Sequence, residues 1–121
     1  MEQKSLVNKQ DFINSNDALK ILHSSRKEIN QIDNELIDLI QKRTSLARDI
    51  VLSKLALNMD IFDPEREKSI YEKIEKIANE KKLNHNTKNS IIEIMDVLID
   101  LSKEEQREII KEHKEIIIDK K

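Results

Sequence analysis

Glycine and cysteine are both absent from this 121-residue chain, proline occurs once, and aromatic residues make up 2% of it. Without glycine the chain lacks the residue that tight two-residue hairpins use for positive φ, which counts against an all-β fold. Without cysteine there are no disulfides, thiolate metal sites or cysteine nucleophiles. Few aromatics mean few base-stacking platforms, and 24 acidic against 22 basic residues leave a net charge of −2, so no nucleic-acid partner is expected. No apolar run approaches the roughly 20 residues that span a bilayer, and the opening residues MEQKSLVNKQ have no apolar core of a signal peptide. A cytoplasmic protein with no membrane contact is expected.

What remains is 38% charged residues together with abundant Ile and Leu, the composition of long helices. A core made from aliphatic side chains alone buries little surface in a chain of this length, so association between chains is expected. Residues 1–16 are expected to form a flexible extension and 17–121 a single helical domain. Ser15, Asn16 and Asp17 are candidate caps for a first helix over about 17–57. Asn58 is suited to end it in the left-handed conformation. Asp63-Pro64 then caps a second helix to about Lys81. Asn86 or Thr87 is expected to cap a third, running to His113 or beyond. The basic end Lys120-Lys121 is expected to be solvated.

Polar residues interrupt the apolar columns of these helices. One column of the first helix, taken every seventh residue, is Leu22, Ile29, Leu36, Arg43, Ile50, Leu57. Its neighbour is Arg26, Asp33, Ile40, Ala47, Lys54. A guanidinium on an apolar seam requires an internal carboxylate or an anionic ligand, unless it sits at the rim with its head in water. Arg26 and Arg43 are roughly 25 Å apart along a straight helix, at 1.5 Å per residue. One small anion can meet both only if one of them comes from a second, antiparallel chain. The third helix has Ser102 and Gln106 four residues apart, in line with Ile91, Met95 and Leu98. Asp63, Arg66 and Glu67 sit at the start of the second helix. His23, His85 and His113 have no ligand spacing, so neither a metal nor a cofactor is expected.

In order and spacing these residues resemble the all-helical chorismate mutase family over about residues 19–110. The matching stretches are Leu22 to Asp33 with Arg26, Gln41-Lys42-Arg43, Ser53-Lys54-Leu55, Asp63-Pro64-Glu65-Arg66-Glu67, and the pair Ser102 and Gln106. The link between the second and third helices is a few residues longer than in the family, and an extension precedes the match. The resemblance implies an all-α fold of three helices per chain in an intertwined homodimer. It also implies the [3,3] rearrangement of chorismate to prephenate. Arg43 and a partner chain's Arg26 would grip the substrate carboxylates. Lys54 and Gln106 would donate to the ether oxygen, Arg66 and Ser102 would support the carboxylate end, and Glu67 with the Asp63 backbone would hold the ring hydroxyl. Both donors to the ether oxygen are available at neutral pH. Two alternatives remain at this point: an isochorismate-pyruvate lyase of the same fold, and a non-catalytic helical dimer in which Arg43 and Gln106 fix register.

Overall fold

The computed structural model describes residues 13–119, with side chains described over 13–114. Most of the expected N-terminal extension, and the pair Lys120-Lys121, lie outside the described residues. Four helical segments follow in order: α1 Ser15–Ser45, α2 Ala47–Ala56, α3 Pro64–Glu80 and α4 His85–Asp119. There is no strand among the described residues, so the all-α expectation holds. Among the described residues no helix is long and apolar enough to cross a membrane.

The first of the three expected helices is broken into α1 and α2, with Leu46 between them. Neither glycine nor proline marks the break. Instead the Thr44 hydroxyl donates to the Ile40 carbonyl at 2.8 Å and the Ser45 hydroxyl to the Lys42 carbonyl at 2.6 Å. Hydroxyls bonded back to the preceding turn compete with the helix ladder and bend it. The Leu46 amide accordingly reaches only to the Arg43 carbonyl, three residues back.

Two caps differ from expectation. Asn14 caps α1, its carbonyl side chain accepting from the Asp17 amide at 2.9 Å while its amide donates to the Asp17 carboxylate at 2.8 Å. Asn84 caps α4, accepting from the Thr87 amide at 2.8 Å. The expected Asp63-Pro64 start of α3 is present, with the Asp63 carboxylate accepting from the Arg66 amide at 3.1 Å. Asn58 ends α2 at φ 56°, and Lys82 ends α3 in the same way at φ 52°. In each turn the amide three residues past the helix reaches back to close it, Met59 to Lys54 at 2.8 Å and Leu83 to Ala78 at 3.0 Å. Glycine is the usual residue at such left-handed helix ends, and here a chain without glycine accepts some steric cost at both.

The chain divides into two units, Met1–Leu39 and Ile40–Lys121. Within the first, Leu19, Leu22, Ile29, Ile32 and Leu36 are all exposed, and α1 as a whole buries no residue. Within the second, α2 and α3 each pack on α4. The core there is small: Ala47 and Val51 of α2, Ala78 of α3 and Ile99 of α4. Two of these four are alanines, which let the helices approach closely. Away from the core, α3 is tied to α4 by the Tyr71 hydroxyl, which donates to the Asp96 carboxylate, and by a Lys88–Glu75 ion pair at 2.6 Å.

Candidate functional site

The second unit contains a cavity of about 350 Å³. The last turn of α1 contributes Arg43, α2 contributes Ile50 and Lys54, and the link before α3 contributes Ile61 and Asp63. Arg66, Glu67 and Ile70 come from α3, and Ile99, Ser102, Lys103 and Gln106 from α4. Seven of the eight residues singled out from the sequence therefore share one cavity. The eighth, Arg26, is exposed on α1 in the first unit and is not among the lining residues.

Among the described residues Gln106 is the buried polar side chain, 3% exposed. Its Oε1 accepts from the Lys54 ammonium at 2.9 Å, and its Nε2 donates to the Ser102 hydroxyl at 3.2 Å. The second Nε2 hydrogen is left for a ligand. The Schellman turn at Asn58 folds the link back so that the Ile61 carbonyl also accepts from Lys54, at 2.6 Å. Arg43 donates through Nη1 to the Leu98 carbonyl of α4 at 2.9 Å. That bond uses one of the guanidinium's five donors.

Neither Arg43 nor Lys54 is in an ion pair among the described residues. Both are instead held by neutral oxygens, which steer a cation without neutralising it. The structural alternative raised from sequence, an internal salt bridge for these cations, is therefore not what the chain forms. Four cations, Arg43, Lys54, Arg66 and Lys103, face two carboxylates, Asp63 and Glu67, leaving two positive charges in surplus. Burial holds the Lys54 ammonium below the usual lysine range; Asp63 and Glu67 oppose that shift and Lys103 adds to it.

Lys103 was not found from sequence. It forms an ion pair with Glu67 at 3.2 Å and lies over the Phe62 ring, 5.3 Å from its centre. The signal was available, since Lys103 precedes Gln106 by three residues and so shares its helix face. Arg66, in turn, reaches the Ser69 hydroxyl at 3.5 Å and leaves Glu67 to Lys103.

The chorismate mutase type II family matches residues 25–107, a span that includes every one of these side chains. The chain belongs to the chorismate mutase type II family. A chorismate mutase of Methanocaldococcus jannaschii is 42% identical over 88 residues, covering 72% of this chain and 85% of that protein. A bifunctional chorismate mutase/prephenate dehydratase of Buchnera aphidicola is 42% identical over 65 residues, 54% of this chain. Its counterpart in Aquifex aeolicus is 42% identical over 59 residues, 49% of this chain. The matches span only 17% and 16% of those two much longer proteins. No solved structure matches significantly. This member of the type II family is an isomerase that converts chorismate to prephenate, the reaction that supplies aromatic amino acid biosynthesis.

Proposed function

We propose that chorismate is rearranged in the Arg43–Lys54–Gln106 cavity, completed by Arg26 of a second copy of the chain. The observation that carries this reading is charge. Two cavity cations are bound to neutral carbonyl and amide oxygens, and the lining has a surplus matching the two carboxylates of chorismate.

In a [3,3] rearrangement an ether C–O bond breaks as a C–C bond forms within one molecule, so neither a nucleophile nor a proton shuttle is required. The protein must hold the flexible dianion in its reactive diaxial form and stabilise negative charge growing on the ether oxygen. Arg43 binds one carboxylate. Lys54 and the remaining Gln106 hydrogen converge on the ether oxygen. Arg66 and Ser102 support the carboxylate end, and Glu67 with the Asp63 backbone holds the ring hydroxyl. Ile50, Ile70 and Ile99 supply apolar wall, which keeps water out and strengthens every charge interaction inside.

The homodimer follows from α1. Leu22, Ile29 and Leu36 form an exposed apolar column at heptad spacing, and an antiparallel second copy covers such a column. That arrangement also delivers Arg26, which the sequence separates from Arg43 by 17 residues of helix. The protein is taken to act in the cytoplasm.

Mixing Arg26→Ala with Arg43→Ala tests the shared site. Each variant alone is expected to be inactive. After subunit exchange the hybrid holds one site with both arginines, and a fraction of wild-type turnover returns. Hybrids demonstrated by mass spectrometry that remain inactive would rule out the shared site.

A further inference from the structure

Lys103 is held on three sides. Its ammonium lies 3.2 Å from Glu67 on α3, 3.7 Å from Asp100 one turn back on α4, and 5.3 Å from the centre of the Phe62 ring. The Lys103 and Glu67 side chains are only 19% and 22% exposed, whereas the ordinary pair Lys68–Glu72 on α3 is 79% and 67% exposed. Exposed pairs of the second kind contribute little to anything. The Lys103 pair instead lines the cavity on both sides.

A lone carboxylate beside a bound dianion would repel it and would swing toward the cavity's other cations. Lys103 removes both problems. It neutralises Glu67 and occupies Oε2, which fixes the carboxylate plane and leaves Oε1 to accept a hydrogen bond. We infer that Lys103 is a positioning residue of this site, holding the Glu67 carboxylate where the substrate's ring hydroxyl donates to it. The inference rests on the placement of chorismate in this cavity.

Lys54 supplies an independent readout. Asp63 from the link, Glu67 from α3 and Lys103 from α4 act on it, while Arg43 and Arg66 also line the cavity. Asp63 and Glu67 favour its charged form and Lys103 opposes it. Removing Lys103 therefore keeps Lys54 protonated to higher pH, and removing the Glu67 charge has the opposite effect.

The experiment is steady-state kinetics of Lys103→Met, Lys103→Arg, Glu67→Gln and the Lys103→Met/Glu67→Gln double variant, with thermal melting of each. A hydroxyl contact present in ground and transition states alike appears in KM. Lys103→Met is expected to raise KM for chorismate about tenfold, with kcat reduced by less than about threefold. Its alkaline limb moves to higher pH, and that of Glu67→Gln moves to lower pH. Lys103→Arg restores KM to within about threefold of wild type, because the cation is kept. The double variant stays within about twofold of Glu67→Gln alone, because Lys103 acts through Glu67.

Losses that multiply in the double variant, or wild-type kinetics in Lys103→Met beside an impaired Glu67→Gln, overturn the role of Lys103 and leave the placement of chorismate standing. Wild-type kinetics in Glu67→Gln overturn the role of Lys103 and the Glu67 contact alone, whereas wild-type kcat in Lys54→Met overturns the placement of chorismate. Should Lys103→Met fail to fold, Lys103→Gln carries the same expectations.

Discussion

The stretch from Ser15 to Leu39 and the body built from α2, α3 and α4 use similar amino acids to opposite ends. From Ser15 to Leu39 the large aliphatic side chains are exposed and no residue is buried. In the body a few aliphatic residues are buried, and the most covered polar group is Gln106, inside a charged cavity. An isolated helix in water gains little from its own propensity, and most helical stability comes from packing an apolar face. In the proposed dimer the first region depends on a second copy, whereas the body pairs its helices within one chain and gathers its polar residues around one cavity. Stability and chemistry are separated along the sequence, and substitutions in the two regions should fail differently.

The largest effect is expected in the body. Lys54→Met removes one of two donors to the ether oxygen and should lower kcat by about 10²–10³-fold, the range for losing one preorganised donor. The fold should survive with a lowered melting temperature, because losing the buried ammonium offsets only part of the cost of leaving Gln106 Oε1 and the Ile61 carbonyl without their donor. Circular dichroism melting alongside the kinetics checks both halves, and a variant that retains wild-type kcat would remove Lys54 from the reaction.

In α1 the expectation is reversed. Leu36→Asp puts a charge on the exposed column, and if a second copy covers that column the cost is on the order of 2–3 kcal/mol of association. Sedimentation should show monomers at concentrations where the parent chain is paired, with activity falling in parallel. On a truly solvated face the same change stays within about 0.5 kcal/mol. That result would break the contrast between the two regions.

The smallest effect concerns the α3–α4 tie outside the cavity. Donation to Asp96, with lesser contributions from burial and the neighbouring carboxylates, pushes the Tyr71 hydroxyl up to about 12. The folded state therefore favours the protonated phenol. Its contribution is fully present below the ordinary tyrosine value of about 10 and is lost as pH rises from there to about 12. Melting of wild type and Tyr71→Phe should converge across that window. Tyr71 is the single tyrosine and tryptophan is absent, so ultraviolet absorbance follows its ionisation alone. Ionisation near 10 would show that the tie to Asp96 does not persist in solution.

Much of this was legible in one dimension because helices convert spacing into faces. Arg43 and Lys54 stood out as cations in apolar columns, and Ser102 with Gln106 as a polar pair on an apolar stripe. All four line the cavity. Asp63 before Pro64 marked the start of α3 for a local reason, a side chain bonding an amide three residues on. Lys103 was missed because lysine on a charged helix is ordinarily solvent-facing, and what distinguishes it is Glu67, 36 residues away. The break at Leu46 was missed because it depends on hydroxyl rotamers of Thr44 and Ser45 rather than on glycine or proline.

The absence of glycine and the helical period were enough to determine an all-helical chain, its approximate boundaries and the side chains suited to binding an anion. These are local properties, fixed by interactions within a turn or two of backbone. Tertiary packing decided which of them meet: Lys54 with Gln106, Arg43 with the Leu98 carbonyl, Glu67 with Lys103. Each of those contacts joins residues 36 to 55 positions apart. No periodicity in a sequence encodes a distance across a cavity; only the close approach of α2 and α3 to α4, set by alanine, valine and isoleucine in a small core, brings those groups within bonding range.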